Sequence, residues 1–230
     1  MKDITPRVAA LTAGLGMLLM AVIAPLCIFG VIEKMAVPGD ASATAANLIE
    51  SASLVRNAGV GLLAVVLLDV IVAWGLYVVL RPVNASLSLL GAWLRVTYSA
   101  IFAVAITNLF DATRAATVDP EQALFLLGGF DQAWQFALVV FGAHLVVVGY
   151  LAWRADYISR WLGALLVIAG VGYALDGVGT LIDPTYLLDV GRFTFVGEIL
   201  FLFWLLIRGA RKGMGFSTTP HSSEGCFRAN

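Results

Sequence analysis

Long apolar stretches alternate with short polar breaks along the whole chain. Six stretches run over 8–32, 56–80, 84–113, 131–153, 158–181 and 191–208. Each is close to or above the roughly 20 apolar residues that a helix needs to cross a bilayer core. Backbone groups in hydrocarbon must bond within their own segment, so such runs are read as helices. Barrel strands would be about 10 residues long and strictly alternating, and no segment here alternates that way. The pattern predicts an all-α fold: a polytopic six-helix transmembrane bundle forming one domain over 1–212, followed by a flexible cytoplasmic tail over 213–230.

The breaks carry their own signals. Arg81-Pro82-Val83-Asn84 and Arg154 to Ser159 are short, so the second and third spans, and the fourth and fifth, form tight hairpins. Val37-Pro38-Gly39-Asp40 reads as a turn, with Asp40 placed to cap a short helix over 41–53. Asp119-Pro120-Glu121-Gln122 is a second start signal: a cap, a proline at the first helical position and a polar partner. Its helix is expected to end at Gly128-Gly129. Both short helices are expected on the outer side, flat on the leaflet or folded over the bundle mouth.

Composition agrees. Hydrophobic residues make up 60% of the 230 positions and charged residues 13%, with a mean hydropathy of +0.93. A water-soluble globule of this size could not wet its exterior with so few charges. A soluble enzyme, a disordered chain and a nucleic-acid binder are therefore excluded. The net charge of −1 says little, but its placement does. One side of the predicted bundle holds Lys2, Arg7, Arg81, Arg154, Arg160, Arg208, Arg211, Lys212 and Arg228 against Asp3, Asp156 and Glu224. The other holds Lys34, Arg56, Arg114 and Arg192 against nine acids, Asp40, Asp119 and Asp131 among them. Positive loops stay inside, so both termini are expected in the cytoplasm. The first apolar run is too long for a cleavable signal core. Cys27 and Cys226 fall on opposite sides of this topology, which leaves no disulfide to expect.

Chemistry is confined to five ionisable residues inside the spans: Asp69, Arg95, His144, Asp176 and Glu198. Asp69, His144 and Glu198 each precede an inner arginine by 10–12 positions (Arg81, Arg154 and Arg208). At 1.5 Å per residue that sets them about 15–18 Å above the cytoplasmic face. This spacing belongs to a faint internal repeat, in which Tyr77-to-Arg81 and Tyr150-to-Arg154 share a step of four. Arg95 lies near the same depth and Asp176 nearer the outer face. Each charge at mid-bilayer costs at least ~2.5–3.5 kcal/mol, so these groups must face one another or water. Asp69 and Arg95 are expected to pair, which would fix register, function, or both. His144 is open to a purely interhelical hydrogen bond. Asp176 sits among Gly170, Gly172, Gly177 and Gly179, a close-packing face. His144, Asp176 and Glu198 together are expected to line one cavity, and the aromatics Trp74, Tyr77, Tyr98, Phe102, Phe141, Tyr150, Tyr173, Phe195, Phe201 and Trp204 either line it, pack or anchor in the interface. Ligand spacing for a metal is absent, one histidine supports haem poorly, and no nucleotide or nucleophile-elbow motif occurs. No cofactor is expected.

Several stretches carry a resemblance: Val37-Pro38-Gly39-Asp40-Ala41 with Thr44-Ala45-Ala46-Asn47, Leu68-Asp69, Leu80-Arg81-Pro82-Val83-Asn84, Gly142-Ala143-His144-Leu145, Gly172-Tyr173-Ala174-Leu175-Asp176 and Gly197-Glu198. Over about 8–210 the chain resembles a bacterial integral-membrane family, domain-of-unknown-function family 4386. The resemblance implies about six membrane helices and no assigned activity. From the residues, three classes stay open. The first is an intramembrane acid–base enzyme on an isoprenoid or lipid, with catalytic His144, Glu198, Asp176, Asp69 and Arg95. The second is a proton-coupled carrier of small solutes with a midplane site. The third is a sensor or assembly protein whose polar core is structural. The partners expected are the bilayer and a lipophilic small molecule, with association of copies left open.

Overall fold

The computed structural model describes residues 4–183, 186, 190 and 195–211. Among them the secondary structure is entirely helical: α1 (Pro6–Ile28), α2 (Ala41–Glu50), α3 (Ala52–Leu80), α4 (Ala85–Ala115), α5 (Pro120–Arg154), α6 (Arg160–Ile182) and α7 (Val196–Ala210), with a 3-10 turn at Ile32–Lys34. Five segments are long and apolar enough to cross a membrane: α1 with its following turn, α3, α4, α5 and α6. The sixth expected span, 191–208, lies partly outside the described residues, and the 15-residue α7 covers it from Val196 onward. The tail over 213–230, with Cys226, lies outside them altogether; Cys27 is a free thiol.

Local chemistry sets the helix ends. Thr5 accepts from the Val8 N–H ahead of Pro6. Asp40 accepts from the Ala43 N–H at 2.8 Å, as its position predicted. Thr44 fastens α2 back to the turn, receiving the Val37 N–H at 3.0 Å and donating to the Asp40 carbonyl at 2.9 Å. Gly39, at φ 77°, makes the turn in a conformation that side chains rarely adopt. Helix α2 stops at Ser51, shorter than the expected 41–53, and the chain bends directly into α3. Helix α1 ends at Ile28, four residues short of expectation. The Phe29 and Gly30 N–H groups both reach the Pro25 carbonyl, at 3.0 and 3.3 Å, so the regular ladder of one acceptor per residue stops there.

The largest correction concerns α5. The Asp119 cap is present, accepting from the Gln122 N–H at 3.1 Å, but no separate helix ends at Gly128-Gly129. The helix runs unbroken for 35 residues to Arg154. Its buried stripe shows why: Ala123, Leu127, Phe130 and Ala137 keep one face across the glycines. A Gly–Gly pair lowers helix propensity by roughly 1 kcal/mol per residue, less than that stripe gains by packing on α4 and α2.

The six longer helices form a ring in chain order. Each packs on the next, α2 covers α4 and α5, and α7 closes back onto α1. Neighbours are antiparallel. On the α1–α3 seam, Gly75 lies against Ala13 and Gly61 against Cys27. The α5–α6 seam is the closest: a Cβ on Gly142 would strike the Gly170 carbonyl, and one on Gly149 the Gly163 carbonyl at 2.7 Å. At the ring's closure the Arg7 guanidinium caps the last helix, Nε donating to the Gly209 carbonyl at 2.7 Å and Nη2 to the Ala210 carbonyl at 3.3 Å. The start of α1 and the end of α7 therefore lie at one level. The outer surface is apolar, with Leu26, Leu67, Trp93 and Val104 all more than half exposed.

Candidate functional site

The ring encloses a polar centre to which five helices contribute. Asp69 comes from α3, Arg95 from α4, His144 from α5, Tyr173 from α6 and Glu198 from the first turn of α7. Arg95 is its hub. Its Nη2 meets Asp69 Oδ1 at 2.6 Å, with both side chains at most 3% exposed. Its Nη1 lies 3.3 Å from His144 Nε2, and its Cζ sits over the Phe141 ring at 5.3 Å from the centroid. The contact with Asp69 is close but not aligned as a directional hydrogen bond, and Arg95 Nε has no acceptor among the described residues. The pair is thus held by charge more than by geometry.

The partners of His144 fix its tautomer. A guanidinium can only donate, so Nε2 must accept from Arg95. Nδ1 therefore carries the proton and donates it to the Gly91 carbonyl at 2.8 Å. Gly91 lies one turn before Arg95 on α4, so the neutral imidazole straddles a turn of that helix. Phe141, one turn earlier on α5, stacks on the imidazole at 5.6 Å. Ser99 donates to the Arg95 carbonyl at 3.0 Å and is satisfied there, so it is not poised as a nucleophile.

Glu198 occupies the α7 edge of this centre. The Tyr173 hydroxyl hydrogen-bonds its carboxylate, and the charge of Arg95 acts on it. Tyr98 is buried beside the charges of Asp69, Arg95 and Glu198 and packs on Phe102 and Phe141. Glu198 alone of the four ionisable groups here is partly buried, while Asp69, Arg95 and His144 are buried.

Asp176 stands apart. It is buried, but its carboxylate receives the Tyr186 hydroxyl at 2.9 Å. Helix register explains the separation. Gly170 faces Gly142, two residues from His144, whereas Gly177 faces Gln135 and Val139. Asp176 is thus about 10 Å farther along the bundle than the His144 level. Helix register sets Asp176 apart from the level of His144. Among the described residues, one pocket lies at the α5–α6 turn and another on the apolar face around Gly142 and Gly170.

The ten aromatics divide. Tyr98, Phe102, Phe141 and Phe201 are buried, while Trp74, Tyr150 and Phe195 are 38–50% exposed on the outer surface. Sequence reasoning missed Phe130 and Trp134, whose rings stand 6.0 Å apart and both pack on Phe102. They fell beside the expected helix end at Gly129. It also missed the Gly91 carbonyl, since a backbone acceptor leaves no mark in a sequence.

Long apolar helices around a desolvated charge network define a multi-pass membrane protein. The family is equally definite. Residues 12–209 match the family described as a domain of unknown function (DUF4386), and the chain belongs to it. An uncharacterized protein of the archaeon Archaeoglobus fulgidus is 36% identical over 159 residues, covering 69% of this chain and 88% of that one. No solved structure matches.

Proposed function

We propose that this is an intramembrane acid–base protein acting on a lipophilic molecule, such as an isoprenoid or a lipid, with Glu198 as the group that gives and takes the proton. The observation that carries this reading is the inequality among the four charged or titratable groups. Asp69, Arg95 and His144 are buried and engaged with one another, whereas Glu198 is less completely buried, held by one phenol and faced by the Arg95 charge. Asp69 and His144 then act as positioning residues that aim the guanidinium. The Arg95 guanidinium faces the Glu198 carboxyl, and Tyr173 offers the neighbouring hydroxyl for a proton relay. The aromatic surroundings, Tyr98, Phe141 and Phe201, suit an apolar substrate.

The proposed setting is the inner membrane with six crossings. Helix α7 belongs to the sixth, and both termini lie on the cytoplasmic side. An even number of crossings is supported by Arg7 capping the end of α7, and the sidedness by the arginine-rich ends of the helices. A structural role is favoured by one observation, the closed and engaged Asp69–Arg95–His144 triad. Glu198→Gln separates the readings, because it keeps shape and hydrogen bonding but removes the titrating proton. An acid–base role predicts normal yield and thermal stability, with an altered lipid-extract profile in cells expressing the variant instead of the wild type. Loss of folded protein with an unchanged lipid profile would leave Glu198 as a structural residue.

A further inference from the structure

A second feature stands at the arginine-rich end of the ring, independent of the Glu198 site. Where α5 turns into α6, Trp153, Arg154, Ala155, Asp156, Ile158 and Arg160 line a pocket of about 610 Å³, within the range of roughly 300–1,000 Å³ typical of small-ligand sites. Three properties define it. First, neither Arg154 nor Arg160 has an ion-pair partner among the described residues, although Asp156 lies between them in sequence. Second, the pocket is bracketed by exposed indoles: Trp153 is 46% and Trp161 80% exposed. Tryptophans at span ends sit at the level of lipid headgroups. Third, the apolar surface continues from the pocket along both helices through Tyr150 and Ile168, each about half exposed. An anionic group between the arginines could thus be joined to hydrocarbon lying against α5 and α6.

The level of the pocket is set by contacts and not by the charge pattern alone. The Tyr157 hydroxyl donates to the Val79 carbonyl at 2.7 Å, which ties the α5–α6 turn to the end of α3. Gly75 on α3 lies against Ala9 on α1, and Arg7 caps α7. All three connections belong to one end of the bundle. That end carries Arg7, Arg81, Arg154, Arg160, Arg208 and Arg211 against Asp156 among the described residues. Such a field attracts an anionic leaflet and makes an acidic peptide or a cation a poor occupant.

We propose that this pocket is a binding site for the phosphodiester headgroup of an anionic phospholipid, held between Arg154 and Arg160 and flanked by Trp153 and Trp161. Arginine suits phosphate oxygens because its planar fork can donate two parallel hydrogen bonds. A lipid is favoured over a free phosphate because the indoles and the apolar wall add nothing to the binding of a soluble anion.

The test uses the full chain, purified and exchanged into nanodiscs of phosphatidylcholine with and without phosphatidylglycerol, with lipid retention read by native mass spectrometry. Wild type is expected to retain phosphatidylglycerol over phosphatidylcholine. At about 1 kcal/mol per arginine near the membrane surface, Arg154→Gln or Arg160→Gln should each cut the preference about fivefold and the double change about thirtyfold. Arg154→Lys with Arg160→Lys keeps the charge and should recover part of it. Arg56→Gln, an exposed arginine on α3 outside this end, should change nothing. Equal retention of the two lipids by wild type overturns the proposal. So does an Arg56→Gln effect as large as that of Arg154→Gln, which would mean diffuse surface charge. If millimolar inorganic phosphate displaces the lipid as well as glycerophosphate-bearing lipid does, the site serves a soluble anion and the lipid assignment fails. Monodisperse elution of each variant separates these outcomes from misfolding.

Discussion

Removing one member of the Asp69–Arg95 pair should be among the most damaging single changes in this protein. Asp69 Oδ1 lies 2.6 Å from Arg95 Nη2, and both side chains are at most 3% exposed. Taking a charge separation of about 4 Å and an effective dielectric constant near 20, the attraction is about 4 kcal/mol. Deleting one partner also strands the other charge among Phe141, Tyr98 and Phe102, and breaking a buried pair typically costs ~3–5 kcal/mol. The guanidinium has secondary support in the Phe141 ring and the Glu198 charge. Among the described residues Asp69 has no ion-pair partner besides Arg95, so Arg95→Ala is expected to be at least as harmful as Asp69→Ala. For a chain of this size, 3–5 kcal/mol corresponds to a fall in Tm on the order of 10 °C. The assay is thermal and denaturant unfolding of purified protein in one detergent for both single variants and for the double variant Asp69→Leu/Arg95→Met. The double variant removes both charges and restores apolar volume, so it should recover most of the loss. Strict additivity of the two single costs would refute the pairing, because independent residues add and coupled ones do not. A cost below ~1 kcal/mol for Asp69→Asn would refute the magnitude.

Two further changes test the packing and the α5–α6 turn. Gly142→Ala drives a Cβ into the Gly170 carbonyl and should destabilise by about 1–3 kcal/mol, whereas Gly128→Ala, with nothing within 4 Å, should stabilise by up to ~1 kcal/mol; equal effects in chemical denaturation would contradict a continuous α5 seated on α6. Burial pushes the Tyr157 phenol up from its usual range, and its proton makes the bond to the Val79 carbonyl. A raised pKa in the folded state means that this contribution is complete below about pH 10 and fades as the pH rises above it. Tyr157→Phe should therefore cost about 1 kcal/mol at neutral pH and narrow its deficit against wild type in strongly alkaline buffer; a deficit that does not change with pH would count against the buried bond.

The fold was legible wherever a signal was local. Asp40, Asn84 and Asp119 each cap the helix that follows, accepting from N–H groups three residues on. These caps depend on one side chain and its neighbours, which a sequence displays. The continuity of α5 through Gly128-Gly129 was not legible, because two glycines look alike in a break and in a packed helix. The difference lies in what Leu127 and Phe130 bury against, and that is a property of other helices. The early end of α1 has a different origin, in the chain's own last turn, where the Pro25 carbonyl receives both the Phe29 and the Gly30 N–H.

The site divides along a similar line, and the division bears on mechanism. Depth was readable: counting back from Arg81, Arg154 and Arg208 placed Asp69, His144 and Glu198 at one level, and Arg95 is the group that touches or faces all three. Azimuth was not. Asp176 shares its inward helix face with Tyr173, one turn away, yet ends on Tyr186 and not on His144. A helix of known depth still has 3.6 residues per turn to choose from, and only packing decides which of them meets a neighbour. That choice left Arg95 against Asp69, His144 and Phe141, and Glu198 less completely buried at the α7 edge. The polar centre is therefore graded and not uniform. Its α3–α4–α5 side is a closed lock on helix register, and on its α6–α7 side Tyr173 faces Glu198.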